Sequence, residues 1–279
     1  MFKRVICPNC GSKVDDAKYT CPNCGHKFEN NKKNRALTLI PFWRQLIVFL
    51  VGFLFFQGFA YVFSYIISSA ALAEYGQGTY AYYSFIFSIK RSALINFTSY
   101  FVIFGILTGI LILDAHDLLK SFKGWRPIVA GLIGLGAILV FNMIYNSILS
   151  LTGLVIRDNA NENSINSIVY QYPLLSLLVF GFIGPICEEL TYRVGLFSFF
   201  SRIHKVIAYV LTIIIFAFIH FDFGSSTIIN ELLNMPLYGF AAFVFSYLYD
   251  HYGFAGSVYA HVSNNLLSIG TAIIGNISK

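Results

Sequence analysis

From Leu46 to the end of the chain, apolar runs follow one another with only short polar breaks between them. Each run is close to the ~20 residues a helix needs to cross the hydrocarbon of a bilayer. The runs fall near 46–70, 93–113, 128–155, 168–190, 205–221, 228–249 and 253–274. A shorter apolar stretch, 78–89, reads as an interfacial or re-entrant piece, or as an eighth span. The spacing predicts an all-α polytopic membrane bundle of about seven helices. Composition agrees: 11% of the 279 residues are charged and 57% are hydrophobic, where a soluble domain carries roughly 25% charged residues. Outer-membrane strands alternate polar and apolar residues, so unbroken apolar runs exclude a barrel. No internal repeat of the kind found in inverted-repeat transporters stands out.

The net charge of +6 lies wholly in residues 1–44, which hold nine Lys/Arg and three acids, while the rest of the chain is balanced. That head lacks the apolar core of a secretory signal. It carries four cysteines instead, as Cys7-Pro8-Asn9-Cys10-Gly11 and Cys21-Pro22-Asn23-Cys24-Gly25. The spacing C-x2-C-x10-C-x2-C is a zinc signature. Four thiolates surround Zn²⁺ tetrahedrally at ~2.3 Å, and a segment this short needs the metal to fold. The glycine after each pair permits a tight turn. The expected organisation is a zinc ribbon (1–28), a basic linker (29–44), N-terminal transmembrane helices (45–124) and a catalytic transmembrane core (125–279). With four Cys ligands the zinc is structural, and the ribbon is free to bind a protein partner. Arg44, Lys120, Lys123, Arg126, Arg202 and Lys205 share one side if the head is cytoplasmic, against Lys90, Arg91 and Arg157 on the other. That bias favours a cytoplasmic ribbon. The basic head is accounted for by topology, and no nucleic-acid partner is expected.

Polar residues where lipid should be carry the functional signal, since each ionised group near mid-bilayer costs at least ~2.5–3.5 kcal/mol. They are Glu188, Glu189 and Arg193 in the fourth run, His220 at the end of the fifth, and His261 and Asn265 in the seventh. Glu189 and Arg193 stand four apart in the order that favours an ion pair, as do His261 and Asn265 on their own face. Adjacent Glu188 and Glu189 point ~100° apart, so one can meet Arg193 while the other faces a cavity. Pro185 should kink the helix beside them. Counting from a turn at 202–205 puts Glu188 and His220 at similar depth, roughly 22–24 Å in. A carboxylate screened from water serves as a general base near neutral pH, and histidine with an amide stabilises an oxyanion. Two His and a Glu could alternatively hold a catalytic metal.

The set E-E-x-x-x-R (Glu188, Glu189, Arg193), F-x-x-x-H (Phe216, His220) and H-x-x-x-N (His261, Asn265), in that order over residues 125–275, resembles the CPBP family of intramembrane proteases. That family comprises type II CAAX prenyl proteases and bacteriocin-processing or self-immunity proteins. The resemblance implies a peptidase in which Glu188 activates water, His220 is its partner, His261 and Asn265 bind the oxyanion, and Glu189 and Arg193 position the others. A glutamate-activated water is favoured, with a catalytic Zn²⁺ left open. The implied substrate is a membrane-associated protein or a leader or bacteriocin-like peptide, in the plasma membrane of a bacterium. Two other readings stand beside it. One is a non-catalytic immunity or scaffold protein acting through its ribbon and spans. The other is a proton-coupled transporter, since membrane acids and histidines can relay protons.

Overall fold

The computed structural model describes residues 4–6, 9–15, 21–25 and 40–277. Cys7 and most of the linker lie outside them. In the head, β1 (Arg4–Ile6) pairs antiparallel with β2 (Lys13–Asp15) in the register Arg4↔Asp15, Val5↔Val14, Ile6↔Lys13. The body is all helix: α1 (Phe42–Tyr75), α2 (Tyr80–Ile86), α3 (Ile89–Ile110), α4 (Ala115–Lys120), α5 (Arg126–Leu151), α6 (Ala160–Gln171), α7 (Pro173–Ser201), α8 (Lys205–Phe218) and α9 (Ile228–Ile277). α3, α5, α7 and α9 are long and apolar enough to cross a membrane, and α1 qualifies as a bent pair.

Two short-range signals decide how these helices divide. Gly253, with φ +78° and ψ −172°, interrupts α9 and folds it into two antiparallel arms, 228–252 and 254–277. The proof is a ring stack: Phe245 and His261 lie 4.3 Å apart at 17°, whereas sixteen residues of straight helix would separate them by ~24 Å. The sixth and seventh expected spans are therefore these two arms. The second signal is Tyr172-Pro173. Tyr172 leaves the helical region (φ −130°, ψ 58°), as a residue before proline tends to. The expected span 168–190 is corrected accordingly: 160–171 form the separate polar helix α6, and α7 starts at Pro173 and runs on to Ser201. α6 opens with a capping box, in which the Asn159 side chain accepts from Glu162 N–H and the Glu162 carboxylate accepts from Asn159 N–H. The stretch 78–89 is α2, a seven-residue helix with no buried residue, rather than an eighth span.

Pro185 does not break α7, which runs as one helix from Pro173 to Ser201. Stretches Val179–Ile183 and Glu189–Phe197 instead wind with wide π-type turns on either side of Gly184–Glu188. A proline that cannot donate to the carbonyl four residues back is absorbed by such turns, which occur mostly at functional sites.

Lipid tails give no hydrophobic drive between helices, so close backbone approach does the packing. α1 crosses α7 where a Cβ on Gly52 would sit 2.1 Å from Thr191 Oγ1, and one on Gly195 would sit 2.8 Å from the Phe49 nitrogen. α5 meets both arms of α9 through Gly131, against Tyr259 and Ala260, and Gly134, against Leu248 and Val244. The ends of the bundle are tied separately. At the end where α1 begins, Arg44 pairs with Asp114, Lys205 Nζ lies 2.7 Å from Asp250 Oδ2, and Arg202 donates to Gln45 Oε1 and Ile40 O. At the opposite end, Glu231 accepts from Ala160 N and Asp222 N, while Asn230 accepts from Arg157 N and Asn234 donates to Arg157 O. Glu231, Asn230 and Asn234 thus hold the loops rather than a catalytic group.

Gly195→Ala should destabilise the protein by about 1–3 kcal/mol, because the added methyl meets backbone that cannot turn aside. Gly136→Ala, whose Cβ meets nothing within 4 Å, should instead gain up to ~1 kcal/mol of helix propensity. Thermal unfolding of both variants in one detergent checks the pair.

Candidate active site

α7 presents its two glutamates to different surroundings. Glu189 is wholly buried, with Arg193 NH1 3.1 Å and His261 Nδ1 2.8 Å from its Oε1. The Arg193 guanidinium lies against the faces of Phe216 (4.6 Å) and Phe245 (5.3 Å), and NH2 donates to Ala242 O. A buried charge survives in apolar surroundings only with such partners. Glu188 turns instead to a cavity of about 400 Å³. Its Oε2 makes no hydrogen bond among the described residues, and His261 Nε2 stands 3.7 Å away. That gap is too long for a direct bond and suited to a bridging water.

The histidines are fixed by their second nitrogens. His261 is 4% exposed, lies flat on Phe245, and has Nδ1 held by Glu189 so that Nε2 faces Glu188. His220 lies just past the end of α8, a little beyond the helix expected to carry it. Its Nδ1 is 2.8 Å from Phe216 O. A carbonyl only accepts, so Nδ1 carries the proton and Nε2 keeps its lone pair in the neutral ring. Asn265 Nδ2 donates to Phe180 O, leaving one N–H and the carbonyl oxygen for the cavity. Glu188, His220, His261 and Asn265 all line this one space, while Glu189 and Arg193 stand behind its wall. Glu188 and His220, matched in depth by residue counting, do meet there. Cys187 is fully buried and Asp222 lies in a turn.

Sequence reading missed Tyr238. Its ring stacks on His220 at 4.3 Å and 16°. Its hydroxyl donates to Glu162 Oε1 and accepts from Asn159 Nδ2, which also donates to His220 O. The capping box of α6 thereby reaches the histidine through one tyrosine. The N-x-x-E signature at Asn159–Glu162 was the available signal.

Metal fit differs between the two ends of the chain. Cys10, Cys21 and Cys24 bring their sulfurs within 4.8 Å of one another, and Cys10 and Cys21 are 3.4 Å apart. Thiolates around one zinc at ~2.3 Å stand ~3.8 Å apart. Gly11 and Gly25 take φ +72° and +71° beside them, and Gly25 N–H closes on Cys21 O. Hydrogen bonds from Ser12 hold the Cys10 thiol down to about 6, which favours the thiolate that binds metal. The fourth expected ligand, Cys7, lies outside the described residues. Among those residues no set of Glu188, His220 and His261 brings three donor atoms as close as the cysteines do. The cavity therefore does not fit a tetrahedral zinc, and no step is routed through one.

Removing one member of the buried pair should cost more than removing both. Glu189→Gln or Arg193→Met alone should lose about 3–5 kcal/mol, and the double variant less than the sum. A thermal-unfolding double-mutant cycle in detergent measures this.

Comparison with known proteins narrows the reading. A family model described as type II CAAX prenyl endopeptidase Rce1-like matches residues 170–267, a stretch that holds all six of the singled-out residues from Glu188 to Asn265. The UPF0177 protein YvdC of Lactococcus lactis subsp. lactis (strain IL1403) is 24% identical over 182 residues, spanning 63% of this chain and 66% of that relative, just under two thirds of its length. No solved structure matches. By these likenesses and by its apolar helices, this is an integral membrane protein whose core is similar to a family of endopeptidases.

Proposed function

We propose that this protein is an intramembrane endopeptidase that hydrolyses a peptide bond in a membrane-associated protein or peptide. One observation carries the reading: a buried glutamate with an unsatisfied oxygen faces a cavity that His220 and His261 also line. Glu188 takes a proton from a water in the cavity, and His220, lining the same space, orients that water with its Nε2 lone pair. The hydroxide adds to the substrate carbonyl carbon. The oxyanion accepts from His261 Nε2–H, with His261 as imidazolium and Nδ1–H still on Glu189, and from the remaining Asn265 N–H. Glu188 then gives the proton to the leaving amine as the C–N bond breaks, so water and peptide become a carboxylic acid and an amine. Glu189 and Arg193 are positioning residues: they orient His261 without touching substrate. Tyr238 does the same for His220.

In this reading the head holds a structural zinc through Cys7, Cys10, Cys21 and Cys24 and offers a docking point for a protein partner. It lies in the cytoplasm of a bacterial cell, with the helices in the plasma membrane. The Lys/Arg excess at the end of the bundle where α1 begins supports that side.

Glu188→Gln should lower cleavage of a membrane-anchored reporter at least about a hundredfold, as loss of a general base does, with thermal unfolding unchanged. Retained turnover would overturn the assignment. Elemental analysis of the full chain should find one zinc per chain. Cys10→Ser with Cys21→Ser should remove it and leave Glu188-dependent cleavage in place; zinc that survives that change would sit elsewhere.

A further inference from the structure

The cavity is built for something other than a purely apolar guest. Asp158, Glu162 and Glu188 line it, and among the described residues lining it none is Lys or Arg. Five asparagine side chains line it as well. The side chains of Asn161, on the exposed face of α6, and of Asn264, in the second arm of α9, make no hydrogen bond among the described residues.

Two costs of placing peptide in a bilayer match this lining. An extended segment has backbone N–H and C=O groups that a helix would satisfy and lipid cannot. Carboxamides offer both donor and acceptor and can take their place. Carboxylates inside low-dielectric walls repel anions and hold cations. Burial pushes the Glu162 carboxyl up, against hydrogen bonds from Asn159 and Tyr238 that lower it, so a cation beside it would relieve a cost already present. Glu188, 8% exposed and with one oxygen unpartnered, points into the same space. Asp158, Asn161 and Glu162 lie at the start of α6, at the end of the bundle opposite the start of α1.

From this lining we infer that the cavity takes an extended peptide segment carrying a basic side chain, admitted past α6 with the cation at Asp158 and Glu162 and the backbone against the asparagines. The inference names the substrate class of the peptidase proposed above and rests on that reading for its catalytic outcome. Its binding outcome stands by itself.

The experiment measures fluorescence anisotropy of three labelled peptides added to the full chain carrying Glu188→Gln in phosphatidylcholine nanodiscs. The peptides share one apolar stretch and differ in two positions, both Lys, both Gln or both Glu. The Lys peptide should bind about tenfold more tightly than the Glu peptide. Asp158→Lys, and independently Asn161→Lys, should cut that ratio below about threefold while thermal unfolding shows each variant folded. Equal binding of all three peptides, or a ratio that survives both substitutions, overturns the inference. Parallel cleavage by the unsubstituted chain separates the two proposals. A kept charge preference with no peptide cut sinks the peptidase and leaves the binding class standing. Cutting without charge preference does the reverse.

Discussion

Everything at the centre of this bundle is arranged around one carboxylate. Glu189 cannot stay ionised in apolar surroundings unless cations and hydrogen-bond donors close around it. Arg193 supplies the charge from the next turn of α7, and His261 supplies a ring N–H from the far arm of α9. Because Arg193 is in turn sandwiched by Phe216 of α8 and Phe245 of α9, a single buried charge locks three helices in register. Glu188, its neighbour in sequence, is thereby left facing the cavity with an oxygen to spare.

A division of labour follows between adjacent residues of the same kind. Helical spacing points the two adjacent glutamates in different directions, and the glycine contacts with α1 and α5 bring the surrounding helices close enough to enclose the space. The histidines show the same economy. Each has one nitrogen committed, to Glu189 or to Phe216 O, so the other is presented in a fixed direction. In the mechanism proposed here, chemistry falls to the uncommitted atoms, and the committed ones hold geometry.

Much of this was legible in the sequence, because a membrane makes polar residues conspicuous. Glu188, Glu189, Arg193, His220, His261 and Asn265 stood out as charges and amides in apolar runs, and helical spacing paired Glu189 with Arg193 correctly. The paired glycines Gly11 and Gly25 marked the turns beside the cysteines. Helix boundaries were harder. The apolar run from 168 to 190 conceals a break that Pro173 causes, and hydropathy does not register a lost N–H. Pro185 carries the same chemistry yet leaves the helix unbroken, with π-type turns on either side of it. Tyr238 was invisible for a different reason. A tyrosine in a membrane segment is ordinary, and only the fold shows that its ring covers His220 while its hydroxyl reaches the cap of α6.

The hairpin at Gly253 has a consequence in time as well as in space. Glu188 and His220 leave the ribosome ahead of the arm that carries His261 and Asn265. Until that last arm turns back against its predecessor, Glu188 lacks the oxyanion donors that the proposed mechanism requires, and the buried carboxylate at 189 lacks its imidazole. Under the proposed activity, a peptidase assembled in this sequence is inert while its own nascent segments, the nearest peptide bonds in the membrane, are still threading past it.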